Sequence, residues 1–260
     1  MKKSLRVFWS DPWLTWSCVL LTLFGVTMIY STTTVHAMER YRDAFWYVKK
    51  HLLSLGIGVA GFVLMANLSL KRLYDWGPWI FLAVLGSLVL LLIPGFGVRA
   101  GGAVRWLKLG PLRIGQPAEL AKLALVLFFA RSLTQKQDRL DQFWTGYFPH
   151  LVVLGVLSIL LLLQPDFGTL MLLGSLSMLM MFVAGVPLRY LLGVVITALP
   201  ALYMVLIRSK YRWERITAFL DPFAPENVQH GAYQLVQSLK TIALGGLWGC
   251  GLGQSHQKLG

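Results

Sequence analysis

Long continuous runs of apolar residues constrain this chain more than any other feature of its sequence. A run of roughly 17 to 25 apolar residues matches the thickness of a bilayer. Seven runs approach that length: 13–32, 52–68, 77–94, 117–131, 149–163, 167–186 and 188–207. Their apolar residues are continuous and do not alternate, which favours helices and excludes a membrane barrel. We therefore expect an all-α fold, a polytopic bundle of transmembrane helices.

The composition supports the same class. Of 260 residues, 56% are hydrophobic and 13% are charged, whereas a soluble domain carries about 25% charged residues. Cys18 and Cys250 lie far apart and indicate neither a disulfide framework nor a zinc site. We treat residues 1–260 as a single integral-membrane domain with a large extracytoplasmic loop region at 208–260.

The basic residues leave the orientation open. The N-terminal Lys2, Lys3 and Arg6 favour a cytoplasmic N-terminus. Alternating spans would then place nine basic residues inside and fourteen outside, against the usual bias. Either the orientation is inverted, or the outer cations are retained because something anionic binds there. The cations are scattered among the spans, so we expect no nucleic-acid partner.

A first polar motif lies at the mouth of the fourth run. It contains Gly-Gly-Ala-Val-Arg105-Trp and, further on, Gln-Pro117-Ala-Glu119-Leu-Ala-Lys122. Pro117 suits the first position of a helix, and Glu119 and Lys122 are spaced to share one face. Ionisable residues inside a span usually face a partner or a polar cavity. The pair therefore either fixes helix packing or lines a cavity for a charged substrate.

A second polar motif, Gln-Pro165-Asp166-Phe-Gly168-Thr, separates the fifth and sixth runs. Pro165 and Gly168 break the helix, which places Asp166 at membrane depth or at its edge. Asp166 either caps the following helix or meets Lys122 or an outer arginine within the bundle. We favour the second alternative.

A third region follows the seventh run and interleaves aromatic residues with arginines. It includes Tyr-Arg212-Trp-Glu-Arg215, then Phe-Leu-Asp221-Pro, and it continues with a segment that begins at Gly231. This pattern suits the headgroup layer of a membrane, where each residue is either an anchor or a ligand of phosphate. Asp221, just before a proline, is typical of a turn.

Six motifs occur in an order that resembles the SEDS family (shape, elongation, division and sporulation). They are GGAVRW, QPAELAKL, LQPDFGT, FLDP, GAYQLVQSL and GLGQSHQKL, and the resemblance covers nearly the whole chain. The ending Gln-Ser-x-Gln-Lys is more similar to the division branch than to the elongation branch. The resemblance implies a ten-helix bundle, about seven helices of which are present. It also implies a multi-pass protein of the bacterial cytoplasmic membrane at the division septum, with a cytoplasmic N-terminus.

The resemblance also implies an activity. Family members polymerise lipid II, an undecaprenyl-pyrophosphate-linked disaccharide peptide, into glycan strands by inverting glycosyl transfer on the outer membrane face. They work beside a class B penicillin-binding protein transpeptidase and other membrane proteins of the division machinery. Two alternatives stay open: a lipid II flippase, and a non-catalytic scaffold that activates the transpeptidase. No cofactor is certain; a divalent cation would assist, but no acidic cluster has metal-ligand spacing.

Site residues are carried over from the family motif by motif. Arg105 is expected to contact the pyrophosphate or the reducing end, because the planar fork of arginine binds two phosphate oxygens. Glu119, Lys122 and Asp166 match the intramembrane polar cluster. The positions expected in the loop that roofs the site are Arg212, Arg215, Tyr233, Gln234, Gln237, Ser238 and Lys258.

The catalytic base of the family is the one expected site residue that has no counterpart in this sequence. In the family, a Leu-Pro-Glu…Thr-Asp-Phe segment follows the motif that ends here at Lys258-Leu259, and its aspartate is regarded as the base. This sequence ends at Gly260, so we assign no catalytic residue, and neither Asp166 nor Asp221 takes that role. We expect the 260 residues to be an incomplete protein that does not polymerise lipid II alone.

Overall fold

The computed structural model describes residues 11–100, 103–109, 112–228, 232–246, 248–251 and 254. The helices are α1 Pro12–Tyr41, α2 Trp46–Asn67, α3 Leu70–Leu90, α4 Pro117–Gln135, α5 Phe148–Leu163, α6 Phe167–Val183, α7 Leu188–Ile207, α8 Lys210–Leu220, α9 Pro225–Val228 and α10 Tyr233–Gly245. Three strands, β1 Gly97–Ala100, β2 Ala103–Leu109 and β3 Leu112–Gly115, connect α3 to α4. A 3₁₀ turn at Gln137–Arg139 and a π-helix at Phe143–Tyr147 connect α4 to α5.

The predicted all-α membrane bundle is confirmed. Each of the seven apolar runs overlaps one of the helices α1 to α7. Within the described residues, five helical segments are long and apolar enough to cross a membrane, namely α1, α2, α3, α7 and Phe143–Leu163. The apolar helix α6 has 17 residues and is shorter than these.

Helix α1 ends nine residues later than its apolar run, at Tyr41 and not at residue 32. The extension begins with polar residues whose hydroxyls bond back to the preceding turn. Thr32 donates to Met28 O at 2.9 Å, and Thr33 donates to Ile29 O at 2.7 Å. Because these hydroxyls are satisfied within the helix, the loss of hydrophobicity does not end it.

The described chain divides into two compact units, one of residues 69–200 and one of 1–68 with 201–260. In the first unit, α3 packs closely on α4: a Cβ added at Gly77 would lie 3.1 Å from Leu127 O. The buried core of this unit comes from α3, α4, α5 and α6. It includes Phe81, Leu88, Leu125, Phe129, Leu157, Leu161, Leu173 and Met181.

The three strands form an antiparallel sheet in the order β1-β2-β3. Gly97 pairs with Leu107 on β2, and Leu107 pairs in turn with Gly115 on β3. The sequence motifs in this region, GGAVRW and QPAELAKL, predicted no strand. The signal was present, since β2 is rich in residues that favour strands, among them Val104 and Trp106, but seven residues are few beside long helices.

In the second unit, α1 and α2 pack together across a four-residue connection. Asp43 organises this turn by accepting bonds from Lys49 Nζ at 2.8 Å and from the Phe45 N–H at 2.9 Å. The bond from Lys49 is the main cause of the lowered pKa of Asp43. Beside the turn, the rings of Tyr41 and Trp46 stack at 3.7 Å between centroids.

Candidate functional site

Arg105 and Asp166 form an ion pair that joins the sheet to the break between α5 and α6. Arg105 lies on β2, and its Nη2 lies 3.1 Å from Oδ1 of Asp166. The Asp166 side chain is only 7% exposed, whereas that of Arg105 is 39% exposed. Arg105 Nε is buried and has no hydrogen-bond partner among the described residues. In the Arg105 guanidinium, Nη2 is therefore paired with Asp166, while Nε has no hydrogen-bond partner among the described residues. The side chain as a whole is partly exposed.

Asp166 is also the N-cap of α6. Its carboxylate accepts bonds from Thr169 Oγ1 at 2.9 Å and from the Thr169 N–H at 3.5 Å. Its own N–H donates to Leu161 O at 2.9 Å. The two sequence-based alternatives for Asp166, a cap and an ion-pair partner of an outer arginine, thus both hold. This network compensates a carboxylate that would otherwise be costly to bury.

Glu119 and Lys122 pair with each other in the first turn of α4. Lys122 Nζ lies 2.6 Å from Glu119 Oε2, and the side chains are 34% and 58% exposed. A carboxylate in the first turn also interacts favourably with the helix dipole. The spacing of three residues predicted a shared face. The ion pair itself is compatible with either packing or a cavity lining.

Gln164 is a polar residue of this region that the sequence analysis did not select. It is fully buried, and its Nε2 donates to Leu88 O at 2.9 Å. This carbonyl lies near the end of α3, where helix carbonyls lack backbone partners. The available signal was an amide at the end of an apolar run, where polar groups are costly unless they are bonded.

Arg131, counted above only among the nine basic residues of the inner side, also bonds to carbonyls of another helix. Its Nη1 donates to Tyr74 O at 3.1 Å and to Asp75 O at 2.7 Å, and its guanidinium lies 5.2 Å from the centre of the Tyr74 ring. Residue 78 is a proline inside α3, so Tyr74 O has no helical N–H to accept from. Arg131 supplies the missing donor.

The predicted loop residues belong to the other compact unit. Arg212 and Arg215 lie on α8, and Arg212 Nη1 donates to Val205 O at 2.9 Å near the end of α7. The α10 helix carries Tyr233, Gln234, Gln237 and Ser238. Tyr233 is 52% exposed. Lys258 lies outside the described residues.

The described residues contain no group of three or more His, Cys, Asp or Glu side chains able to hold a metal ion. The carboxylates of the candidate site, Glu119 and Asp166, are each paired with a cation. Arg105 and Lys122 bring N–H donors with positive charge to this site, which suits the binding of anionic oxygens.

The sequence matches a family model over residues 12–260, that of the cell cycle proteins FtsW, RodA and SpoVE. The chain belongs to this family. The resemblance to the SEDS proteins, drawn from six motifs, is thereby confirmed. As an FtsW/RodA/SpoVE protein with several apolar spans, it is a multi-pass membrane protein.

Individual members of the family are similar over most of the chain. The probable peptidoglycan glycosyltransferase FtsW of Geobacter sp. (strain M18) is 38% identical over 241 residues, which are 93% of this chain and 65% of that protein. A solved chain from a peptidoglycan synthase complex, described for the structural coordination of polymerization and crosslinking, has a TM-score of 0.61 at 31% identity. This match covers 86% of the present chain and 64% of the solved one.

The crystal structure of the rod shape determining protein RodA of Thermus thermophilus is also similar. It has a TM-score of 0.53 at 29% identity, and the match covers 86% of this chain and 73% of RodA. In length, the chain spans about two thirds of the FtsW relative from Geobacter sp. (strain M18).

Proposed function

We propose that this chain is the lipid II-binding membrane portion of a peptidoglycan glycan-strand polymerase that acts in septal wall synthesis. The reaction is an inverting glycosyl transfer on the outer face of the cytoplasmic membrane, with the N-terminus in the cytoplasm. The relatives named as glycosyltransferases support the reaction class, and the FtsW name supports the division role. The general base is the aspartate that the family resemblance places after Gly260.

The observation that carries the proposal is the state of Arg105. Among the described residues, one ion pair, with Asp166, holds its guanidinium at the break between α5 and α6, its Nε has no hydrogen-bond partner, and its side chain is partly exposed. Arginine binds phosphate oxygens with two parallel hydrogen bonds. The leaving group of lipid II is a lipid pyrophosphate, so Arg105 stabilises the charge that develops as the glycosidic bond breaks.

Glu119 and Lys122 shape the cavity in this proposal. Lys122 adds a second cation to the unit that carries Arg105, and Glu119 holds its ammonium group 2.6 Å away. The family resemblance also assigns lipid II binding to residues of the other compact unit and beyond it, namely Arg212, Arg215, Tyr233, Gln234, Gln237, Ser238 and Lys258. The proposed partner is a class B penicillin-binding protein, in line with the synthase complex of the structural relative.

The test uses the complete gene product, co-purified with its class B penicillin-binding protein whose own active site is disabled. Lipid II is supplied, and glycan polymer is measured on a gel. We expect Arg105→Ala to lower polymerisation by about 100-fold or more, as for the loss of one donor to a developing anion. Lys122→Ala should also abolish most activity. Arg139→Ala, the same change at an exposed arginine of the 3₁₀ turn, serves as the matched control.

Thermal unfolding of each variant separates lost function from lost structure. Loss of polymer with an unchanged unfolding temperature supports the site. Transport of lipid II across vesicles without polymer would make the protein a flippase. Loss of activity only in variants that also unfold would favour a scaffold.

A further inference from the structure

We propose that Asp166 is a built-in competitor for the pyrophosphate at Arg105, so that it weakens ligand binding and speeds product release. The inference rests on the proposed function, because it concerns the same arginine. A residue that completes the cavity would strengthen ligand binding, whereas Asp166 is inferred to weaken it. The Asp166 carboxylate pairs with the Arg105 guanidinium in this structure, and a phosphate oxygen takes its place when the ligand binds.

The geometry of the guanidinium supports competition. Asp166 Oδ1 lies 3.1 Å from Nη2, while the neighbouring Nε is buried and unpaired among the described residues. Nε and Nη2 are adjacent nitrogens of one planar fork, which binds two oxygens of a phosphate at once. A ligand that uses both nitrogens must share or displace the contact of Asp166 with Nη2. The Arg105 side chain is 39% exposed but its Nε is buried, so a phosphate that binds both nitrogens requires the guanidinium to shift as Asp166 releases it.

Asp166 can release Arg105 without becoming an unpaired buried charge. Its carboxylate keeps two donors from Thr169, at 2.9 and 3.5 Å, when the arginine leaves. It also caps the N-terminus of α6, where the helix dipole favours a negative charge. The carboxylate is therefore stable with Arg105 or without it, as an exchangeable partner has to be.

The effect of Asp166 on the affinity for pyrophosphate has a defined direction. Two anions that compete for one cation repel each other, so the charge of Asp166 lowers the affinity of the site for pyrophosphate. After transfer, the same carboxylate can recapture Arg105 and help the lipid pyrophosphate to leave. Removing the charge while keeping the cap should therefore tighten binding and slow release. Asn caps a helix about as well as Asp, which makes Asp166→Asn the informative variant.

The experiment measures binding of farnesyl pyrophosphate to the complete gene product in nanodiscs by titration calorimetry, with farnesol as the uncharged control. We expect Asp166→Asn to bind farnesyl pyrophosphate about two- to fivefold more tightly than the wild type, a range typical of one partly exposed charge contact. Asp166→Glu keeps the charge and should not tighten binding. Asp43→Asn, the same change in the Lys49 ion pair, should have no effect.

The outcomes separate this inference from the proposed function. If Arg105→Ala binds farnesyl pyrophosphate as well as the wild type does, the proposed site is wrong and the competitor role falls with it. If binding depends on Arg105 but Asp166→Asn, with a normal unfolding temperature, binds equally or more weakly, only the competitor role is overturned. An unfolded Asp166→Asn would also overturn it, since the cap would then require the charge.

Discussion

At the scale of single residues, several polar side chains of this membrane protein bond to helix carbonyls that have lost their backbone partner. Gln164 serves Leu88 O, Arg131 serves Tyr74 O, and Arg212 serves Val205 O. These side-chain donors therefore have a structural use. Glu119 and Lys122 differ, because their charged groups bond to each other across one turn. A substitution at this pair can accordingly distinguish packing from substrate binding.

Exchanging the two charges tests that distinction. The double variant Glu119→Lys with Lys122→Glu keeps an ion pair at the same spacing, so stability should fall by only about 0.5–1 kcal/mol through the helix dipole and the reversed pair. Polymerisation should be lost, because the cation has moved by one turn. Gel assays and thermal unfolding measure the two effects, with Lys122→Arg as the charge-preserving control. Full activity in the exchanged variant would show that the pair only holds the helix.

At the scale of elements, helix α3 lacks one of its backbone hydrogen bonds, and a side chain of α4 replaces it. Pro78 removes the N–H that would serve Tyr74 O, and Arg131 of α4 reaches across to this carbonyl and to Asp75 O. Gly77 permits the approach, since its missing side chain leaves room for Leu127 O. The proline and the arginine therefore act as a pair although they lie on different helices.

A double-mutant cycle measures that coupling. Arg131→Met should lower the free energy of unfolding by about 1–3 kcal/mol, because two carbonyls lose a charged donor. In a Pro78→Ala background the loss should be about 1 kcal/mol smaller, since the new backbone N–H serves Tyr74 O. Unfolding in mixed micelles with increasing SDS gives the four free energies. Strictly additive changes would contradict the pairing.

The elements that could be predicted from the sequence are those with a strong local pattern. Seven apolar runs became seven helices because hydrophobic length alone specifies a span. The sheet was missed, since its seven-residue central strand has no comparable signal. Glu119 and Lys122 were predicted to share a face from spacing within one helix. The partners of Gln164 and Arg131 depend on how separate helices pack, which no local pattern contains.

At the scale of the whole molecule, the proposed cytoplasmic N-terminus sets the distribution of charge against the usual rule for membrane proteins. A cytoplasmic N-terminus puts fourteen basic residues outside and nine inside. We attribute the excess to the anionic substrate that the outer face is proposed to bind. The orientation can be tested with the chain's own cysteines, because Cys250 is exposed after α7 and Cys18 lies within α1.

In a Cys18→Ser variant, Cys250 should react in intact cells with a thiol reagent that cannot cross the membrane. The matched variant lacks both cysteines and carries Lys136→Cys, at the end of α4. It should react only after the inner membrane is permeabilised, because this end of α4 is proposed to face the cytoplasm. Mass spectrometry of the labelled peptides gives the readout. The reverse pattern would establish the inverted orientation.

The dependence of α3 on later helices affects how the protein inserts during its synthesis. The carbonyls of Tyr74 and Leu88 gain their partners only when side chains 57 and 76 residues further along the chain have been made. At about 5–20 residues per second, a ribosome needs roughly 3 to 15 seconds to make those intervals. During that delay α3 contains polar groups that lipid cannot satisfy. We therefore expect α3 to stay beside the translocon, or near water, until α4 and the end of α5 have emerged.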